Sequence, residues 1–209
     1  MLFFVAVAHG ADYGSGSISG TVRCQTQSVA NAIVYLNVTG SRWDTTNLWP
    51  VVFRQFQSEW TPRIQLGRSG ALLVLQNDDP TLHVVTLDLL RGTNQPHRLL
   101  TEAMPYAGYQ KAFQIEAFRE PVLLKASTGN GERAVGYVAL LPHSWGALTG
   151  ADGRFTIGAV PAGAYKIYAW SEAHGTLIRD VKVSSGQATE LSLDFPPAKV
   201  TATGRQRAD

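Results

Sequence analysis

Thr149-Gly-Ala-Asp-Gly-Arg-Phe-Thr-Ile157, followed by Val160-Pro-Ala-Gly-Ala-Tyr165, is the stretch that decides the fold. Asp152-Gly153 supplies the positive-φ position of a tight hairpin, and Pro161-Ala-Gly163 marks a second turn. Just beyond, Tyr165, Ile167 and Ala169 alternate with Lys166, Tyr168 and Trp170, the period of a strand with two unlike faces. Leu191, Leu193 and Phe195 share a strand face near the C-terminus. The counterpart of this stretch lies more than a hundred residues upstream. Gly16-Ser-Ile-Ser-Gly-Thr-Val-Arg23 and Val29-Ala-Asn-Ala-Ile-Val-Tyr-Leu36 read as the first strands of the same small β-sandwich, with Val34, Leu36 and Val38 on one face.

What separates the halves is also β in character. Ala71–Asn77 is nearly all apolar, as expected for a strand covered on both faces. His83–Leu90 and Pro121–Ser127 read as further strands. The segment 41–60 is aromatic and irregular, and 91–111 reads as a polar, Pro-containing loop with room for a short helix. No long segment carries a helical stripe.

The 209 residues suffice for two small domains with cores of their own. With 16% charged and 44% hydrophobic residues the chain is globular rather than disordered. A formal net charge of +2, without a Lys/Arg run, gives no footprint for nucleic acid. At the N-terminus, Ala8-His9-Gly10 before Ala11 follows the small-x-small rule of a signal-peptide cleavage site, although no basic segment precedes it. Residues 1–11 are therefore read as a truncated signal segment, with a buried first strand as the alternative. The apolar stretch is too short to span a membrane as a helix. Cys24 is the single cysteine, so neither an intramolecular disulfide nor a multi-thiolate metal site can form. Its alternation with Ile18 and Val22 predicts a buried, inert thiol.

These motifs resemble the carboxypeptidase regulatory-like domain, a transthyretin-like sandwich of the carbohydrate-binding-like fold. The interrupted arrangement is similar to the methylamine-utilisation-protein-like family, in which a cupredoxin- or plastocyanin-like domain is inserted into that sandwich. The residues carrying this resemblance are Thr61-Pro-Arg-Ile64, Asn77-Asp-Asp-Pro-Thr-Leu-His83 and Gly136-Tyr-Val-Ala-Leu140. It implies an all-β protein: residues 12–48 and 146–196 form the outer sandwich, 49–145 the inserted one, and 197–209 a mobile tail.

The resemblance also implies a copper centre, because the family pattern continues Cys-x-x-His-x-x-Met after the histidine of the Asn-Asp-Pro motif. A thiolate and two imidazoles suit a copper ion that cycles between oxidation states, and the Met tunes its potential. This chain departs there. Ser127 or Thr128 stands where the cysteine belongs, in Lys125-Ala-Ser-Thr-Gly-Asn-Gly-Glu-Arg-Ala-Val135, and neither histidine nor methionine follows. His83 alone remains of four ligands, as a vestigial metal residue or a hydrogen-bonded polar group at a strand start. The expected cofactor is none, with copper in a cupredoxin-type electron-transfer protein as the alternative.

No Gly-x-Ser-x-Gly elbow, phosphate loop or assignable carboxylate pair supports an enzyme. Trp43, Trp49 and Trp60 carry the strongest hint of ligand binding, since aromatic faces stack on sugar rings; packing between the domains is the competing role. The expected function is a non-catalytic exported binding or structural module, periplasmic or extracellular, whose partner is a glycan or an envelope protein.

Overall fold

The structure, a computed structural model, describes residues 14–38, 48–90, 96–129 and 134–197. The segment 1–11, Trp43, Asn130-Gly131 and all of the tail except Pro197 lie outside them. The fold is all-β, and no helix is long and apolar enough to cross a membrane among the described residues.

Two sheets are built from the ends of the chain. In the first, β1 (Ser15–Cys24) is central, between β14 (Arg154–Pro161) and β17 (Ala188–Phe195), with β2 (Gln27–Ser28) beside it. The second runs β13 (Gly146–Leu148), β3 (Ile33–Asn37), β15 (Gly163–Ser171), β16 (Gly175–Val183). Between them lies one apolar cluster that includes Ile18, Val22, Val34, Leu36, Ile157, Ile167, Ala169 and Leu193. These are the inward residues of the period-two patterns. Alternation thus sends half of each strand into the core and leaves the other half for solvent or a ligand.

The contacts that close this sandwich span large sequence separations. Thr149 Oγ1 donates to Val29 O at 2.7 Å and accepts from Ala32 N at 2.8 Å. Gly20 faces the Leu191 carbonyl so closely that a side chain there would collide with it. Gly153 takes a φ of +76° in the hairpin turn, and a Cβ would sit 2.6 Å from Val22 O. Cys24 is only partly buried, with Sγ 3.8 Å from Pro196 O, so the expectation of a fully buried thiol is corrected. It is the last residue of β1 and packs, partly buried, against the core cluster.

The middle of the chain forms two further sheets. One runs β10 (Tyr109–Gln114), β7 (Leu72–Asn77), β4 (Val51–Phe56), β5 (Glu59–Thr61). The other runs β6 (Ile64–Arg68), β12 (Val135–Leu141), β11 (Val122–Thr128), β8 (His83–Leu90), β9 (His97–Met104). They enclose a second cluster containing Phe53, Trp60, Leu73, Leu75, Leu87, Met104, Leu124 and Val138. Of the loop expected over 91–111, residues 91–95 lie outside the described residues, and the described part holds β9 and the start of β10. Both are edge strands with mostly solvent-facing residues, and a register shift between Leu87 and Asp88 breaks the pairing pattern of β9. The irregular segment 41–60 likewise contains β4 and most of β5.

The two sandwiches touch through a few side chains. Trp170 of β15 packs on Tyr137 of β12 with centroids 4.9 Å apart. Arg63 donates to both carboxylate oxygens of Glu172, at 3.0 and 2.6 Å.

Candidate functional site

The loop joining β7 to β8 holds the sequence motif Asn77–His83. Asn77 is fully buried. Its Nδ2 donates to Thr81 O and Met104 O, both at 2.9 Å, while its Oδ1 accepts from Asp79 N at 2.9 Å. Asp79 in turn accepts from Gln57 N at 2.6 Å and Ser58 N at 3.1 Å. Gln57 and Ser58 form the β4–β5 hairpin turn with φ of 51° and 61°. That turn normally selects Asn or Gly, and here the carboxylate caps both amides of a Gln-Ser pair. Burial pushes the Asp79 pKa up, but the Ser58 and Gln57 amides and His83 outweigh it and hold the value below 3.8.

His83 closes this network. Its Nε2 lies 2.9 Å from Asp79 Oδ2 and 3.4 Å from Thr81 Oγ1. Thr128, near the expected thiolate position, donates from Oγ1 to Gln55 Oε1 at 3.2 Å. A cupredoxin-type copper ion needs a thiolate, two imidazoles and a soft axial donor. The hydrogen-bond partners of His83 are instead the Asp79 carboxylate, which also holds two backbone amides, and the Thr81 hydroxyl. The only cysteine belongs to the other sandwich. Among the described residues no three His, Cys, Asp or Glu side chains form a group that could hold a metal. The residues present do not fit that ion.

The tryptophans divide. Trp60 is 3% exposed, meets Phe53 edge-on at 5.4 Å and donates from Nε1 to Ala134 O at 3.0 Å. As a core side chain with its indole N–H satisfied it has no face for a sugar, which corrects its assignment as a ligand residue. Trp49 is 77% exposed beside a small recess of about 230 Å³ that it shares with Arg68 and His143. Trp43 lies outside the described residues. Trp49 and Trp60 do not form one surface.

A different set of aromatics does. Alternation places Tyr168 and Trp170 on the face of β15 opposite Ile167 and Ala169, and Tyr35 on the matching face of β3. Tyr35 and Tyr168 are direct cross-strand partners. Their rings stack at 5.3 Å with an interplanar angle of 20°. Asn37 Nδ2 donates to the Tyr168 hydroxyl at 3.4 Å. Burial, with Tyr168 beside it, pushes the Tyr35 phenol up to about 12, so it stays a neutral hydroxyl in ordinary buffers.

Over this face lies a cleft of about 1160 Å³. Its floor is Ile33, Tyr35, Tyr168, Trp170 and Thr176. The opposite wall is the segment Glu116–Leu123 of the second sandwich, with Leu90 and Ala139 behind it. The Tyr137–Trp170 contact and the Arg63–Glu172 pair tie the sandwiches together near its Trp170 end. The cleft has an aromatic floor and a largely apolar wall that carries three exposed charged side chains, Glu116, Arg119 and Glu120; a mainly apolar lining with a few polar groups is usual for a ligand site. The signal for it is present in the sequence, because outward aromatics alternate with Ile167 and Ala169; above, that alternation serves only to assign the strand.

A family model described as polysaccharide lyase family 4, domain II, matches residues 144–191, under a quarter of the chain. The match contains β13 to β16 and so includes Tyr168 and Trp170. No curated protein matches the chain. Among solved structures it is similar to a purple cupredoxin from Nitrosopumilus maritimus, at 14% identity and a TM-score of 0.33, covering 44% of this chain and 97% of that one. It is also similar to a reduced amicyanin variant, at 12% identity and a TM-score of 0.31, covering 50% of this chain and 98% of that one.

Proposed function

We propose that this chain is a non-catalytic, exported module that binds a glycan in the cleft between its sandwiches. The observation that carries this reading is the outward aromatic set, Tyr35, Tyr168 and Trp170, gathered on the floor of a cleft whose wall carries the charged side chains of Glu116, Arg119 and Glu120. Pyranose rings offer C–H faces that pack on aromatic carbon and hydroxyl edges that hydrogen-bond to phenols and carboxylates. The likeness of residues 144–191 to a domain of a polysaccharide lyase family supports a carbohydrate context. Export rests on the Ala8-His9-Gly10 pattern and is checked by cell fractionation.

The experiment is a glycan array followed by calorimetric titration of the best soluble ligand. Tyr168→Ala should weaken binding about tenfold, ~1.4 kcal/mol, with little change in the melting temperature. Trp49→Ala should leave affinity unchanged. Loss of binding with Trp49→Ala and not with Tyr168→Ala would place the site elsewhere. The same preparation, titrated with copper(II) and copper(I), should show no tight one-to-one binding and no charge-transfer band.

A further inference from the structure

Resting on the glycan reading, we infer that the ligand is a single soluble chain of uncharged sugars rather than an acidic polysaccharide or the surface of an insoluble one. Two features of the cleft lead there.

The first is the attitude of the tyrosines. Neighbouring strands lie about 4.8 Å apart. Two rings lying flat on adjacent strands could not bring their centroids to 5.3 Å at nearly parallel planes without overlapping. Tyr35 and Tyr168 therefore stand up from the sheet as a stacked pair. They make a ridge, not a plateau, and each ring has one face occupied by the other. A flat crystalline polymer needs a coplanar aromatic surface. A ridge facing the Glu116–Leu123 wall accepts one chain lying in the groove, with a ring face against Tyr168 or Trp170 and its hydroxyl edges toward the wall. The cleft volume exceeds the roughly 300–1,000 Å³ typical of pockets for a single small ligand, so several linked sugars fit.

The second is charge. The floor residues of the cleft carry no charged side chain, and the Tyr35 phenol stays neutral. The wall carries the exposed carboxylates of Glu116 and Glu120 against one guanidinium, Arg119, which already has an interaction within the chain. Carboxylates accept hydrogen bonds from sugar hydroxyls readily, and they repel the carboxylates of uronic acids.

The test titrates the full-length protein with soluble hexasaccharides of glucan, mannan, xylan and N-acetylglucosamine backbones, and with hexagalacturonate, at about 20 mM and about 500 mM salt. Retention on microcrystalline cellulose is measured in parallel. The expected result is binding of at least one neutral chain. Hexagalacturonate should bind at least about tenfold more weakly at low salt, with the gap shrinking at high salt, and the insoluble polymer should not retain the protein. The double variant Glu116→Gln/Glu120→Gln should narrow the gap by improving hexagalacturonate, a change that a purely structural role for these residues would not produce. Hexagalacturonate binding tighter than every neutral chain, or retention on the crystalline polymer abolished by Tyr168→Ala, overturns this inference and leaves glycan binding standing. If no sugar of any class binds, the glycan reading itself falls.

Discussion

The Asn77–His83 loop and the cleft above β3 and β15 both bring polar and aromatic chemistry to the surface of a β-sandwich, and they dispose of it in opposite ways. In the loop, Asn77, Asp79 and His83 direct their polar atoms at one another and at the β4–β5 turn. The result is a closed hydrogen-bond network that holds a strained hairpin and leaves His83 engaged. At the cleft, Tyr35, Tyr168 and Trp170 line an open volume, and the Tyr168 hydroxyl, which accepts from Asn37, keeps its own proton to donate. A recognisable motif is thus no guide to an available site. Availability depends on whether the donors and acceptors of the motif are already matched to each other.

Removing Asn77 should produce the largest effect that separates these regions. Asn77→Ala leaves Thr81 O, Met104 O and Asp79 N without their partners inside the protein, and the expected loss is about 3 kcal/mol of stability. Urea unfolding measures it, and glycan affinity of the folded fraction should not change. A loss under about 1 kcal/mol would mean that the network is dispensable.

Acid should reach His143, between β12 and β13, and then the Asn77–His83 loop, without reaching the floor of the cleft. His143 is buried, and desolvation aided by Arg68 lowers its pKa from 6.5 to about 4. The neutral ring is thus favoured in the folded state, so its contribution is complete above pH 6.5 and is lost as the pH falls toward 4. Asp79 is held below 3.8 by its donors, so its contribution persists above that value and is lost only beneath it. Melting temperature should therefore fall in two windows. His143→Gln flattens the upper window and Asp79→Asn the lower. Sugar affinity of the folded protein should not follow the Tyr35 phenol over this range, since that group titrates near 12. Unchanged curves for both variants would refute the assignment.

The smallest effect belongs to the tie between the sandwiches. Arg63 and Glu172 are each about a third exposed, so Arg63→Ala should cost only about 0.5 kcal/mol. Its effect on glycan affinity should exceed its effect on stability if the pair helps fix the width of the cleft, and calorimetry beside urea unfolding compares the two.

The strands of the outer sandwich were legible because their residues alternate cleanly and their turns carry Asp-Gly and Pro-x-Gly. β9 and β10 were not, because edge strands bury few side chains and a register shift disturbs the pairing of Asp88. The donors that saturate Asp79, and so keep it and His83 occupied, escaped the sequence because Gln57 and Ser58 contribute backbone amides, which no side-chain motif reveals. The cleft escaped for a related reason. Tyr35 and Tyr168 are more than a hundred residues apart, and only the register of β3 against β15 makes them neighbours. Trp60 misled because tryptophan fills a core as readily as it lines a binding surface.

β1 pairs with β14 and with β17, and Thr149 stitches the turn before β3. During synthesis, then, β1 has only the two-residue β2 beside it until β14 and β17, more than a hundred residues further on, have been made. The strands of the second sandwich can pair among themselves much sooner. Contacts of such long sequence separation carry a large loop-closure cost and form slowly. The apolar faces of β1 and β3 wait through that interval without their sheet partners, and exposed apolar strands of this kind are prone to aggregate. The floor of the cleft exists only once β15 has paired with β3, so a ligand in it reports that the late-forming sandwich has closed.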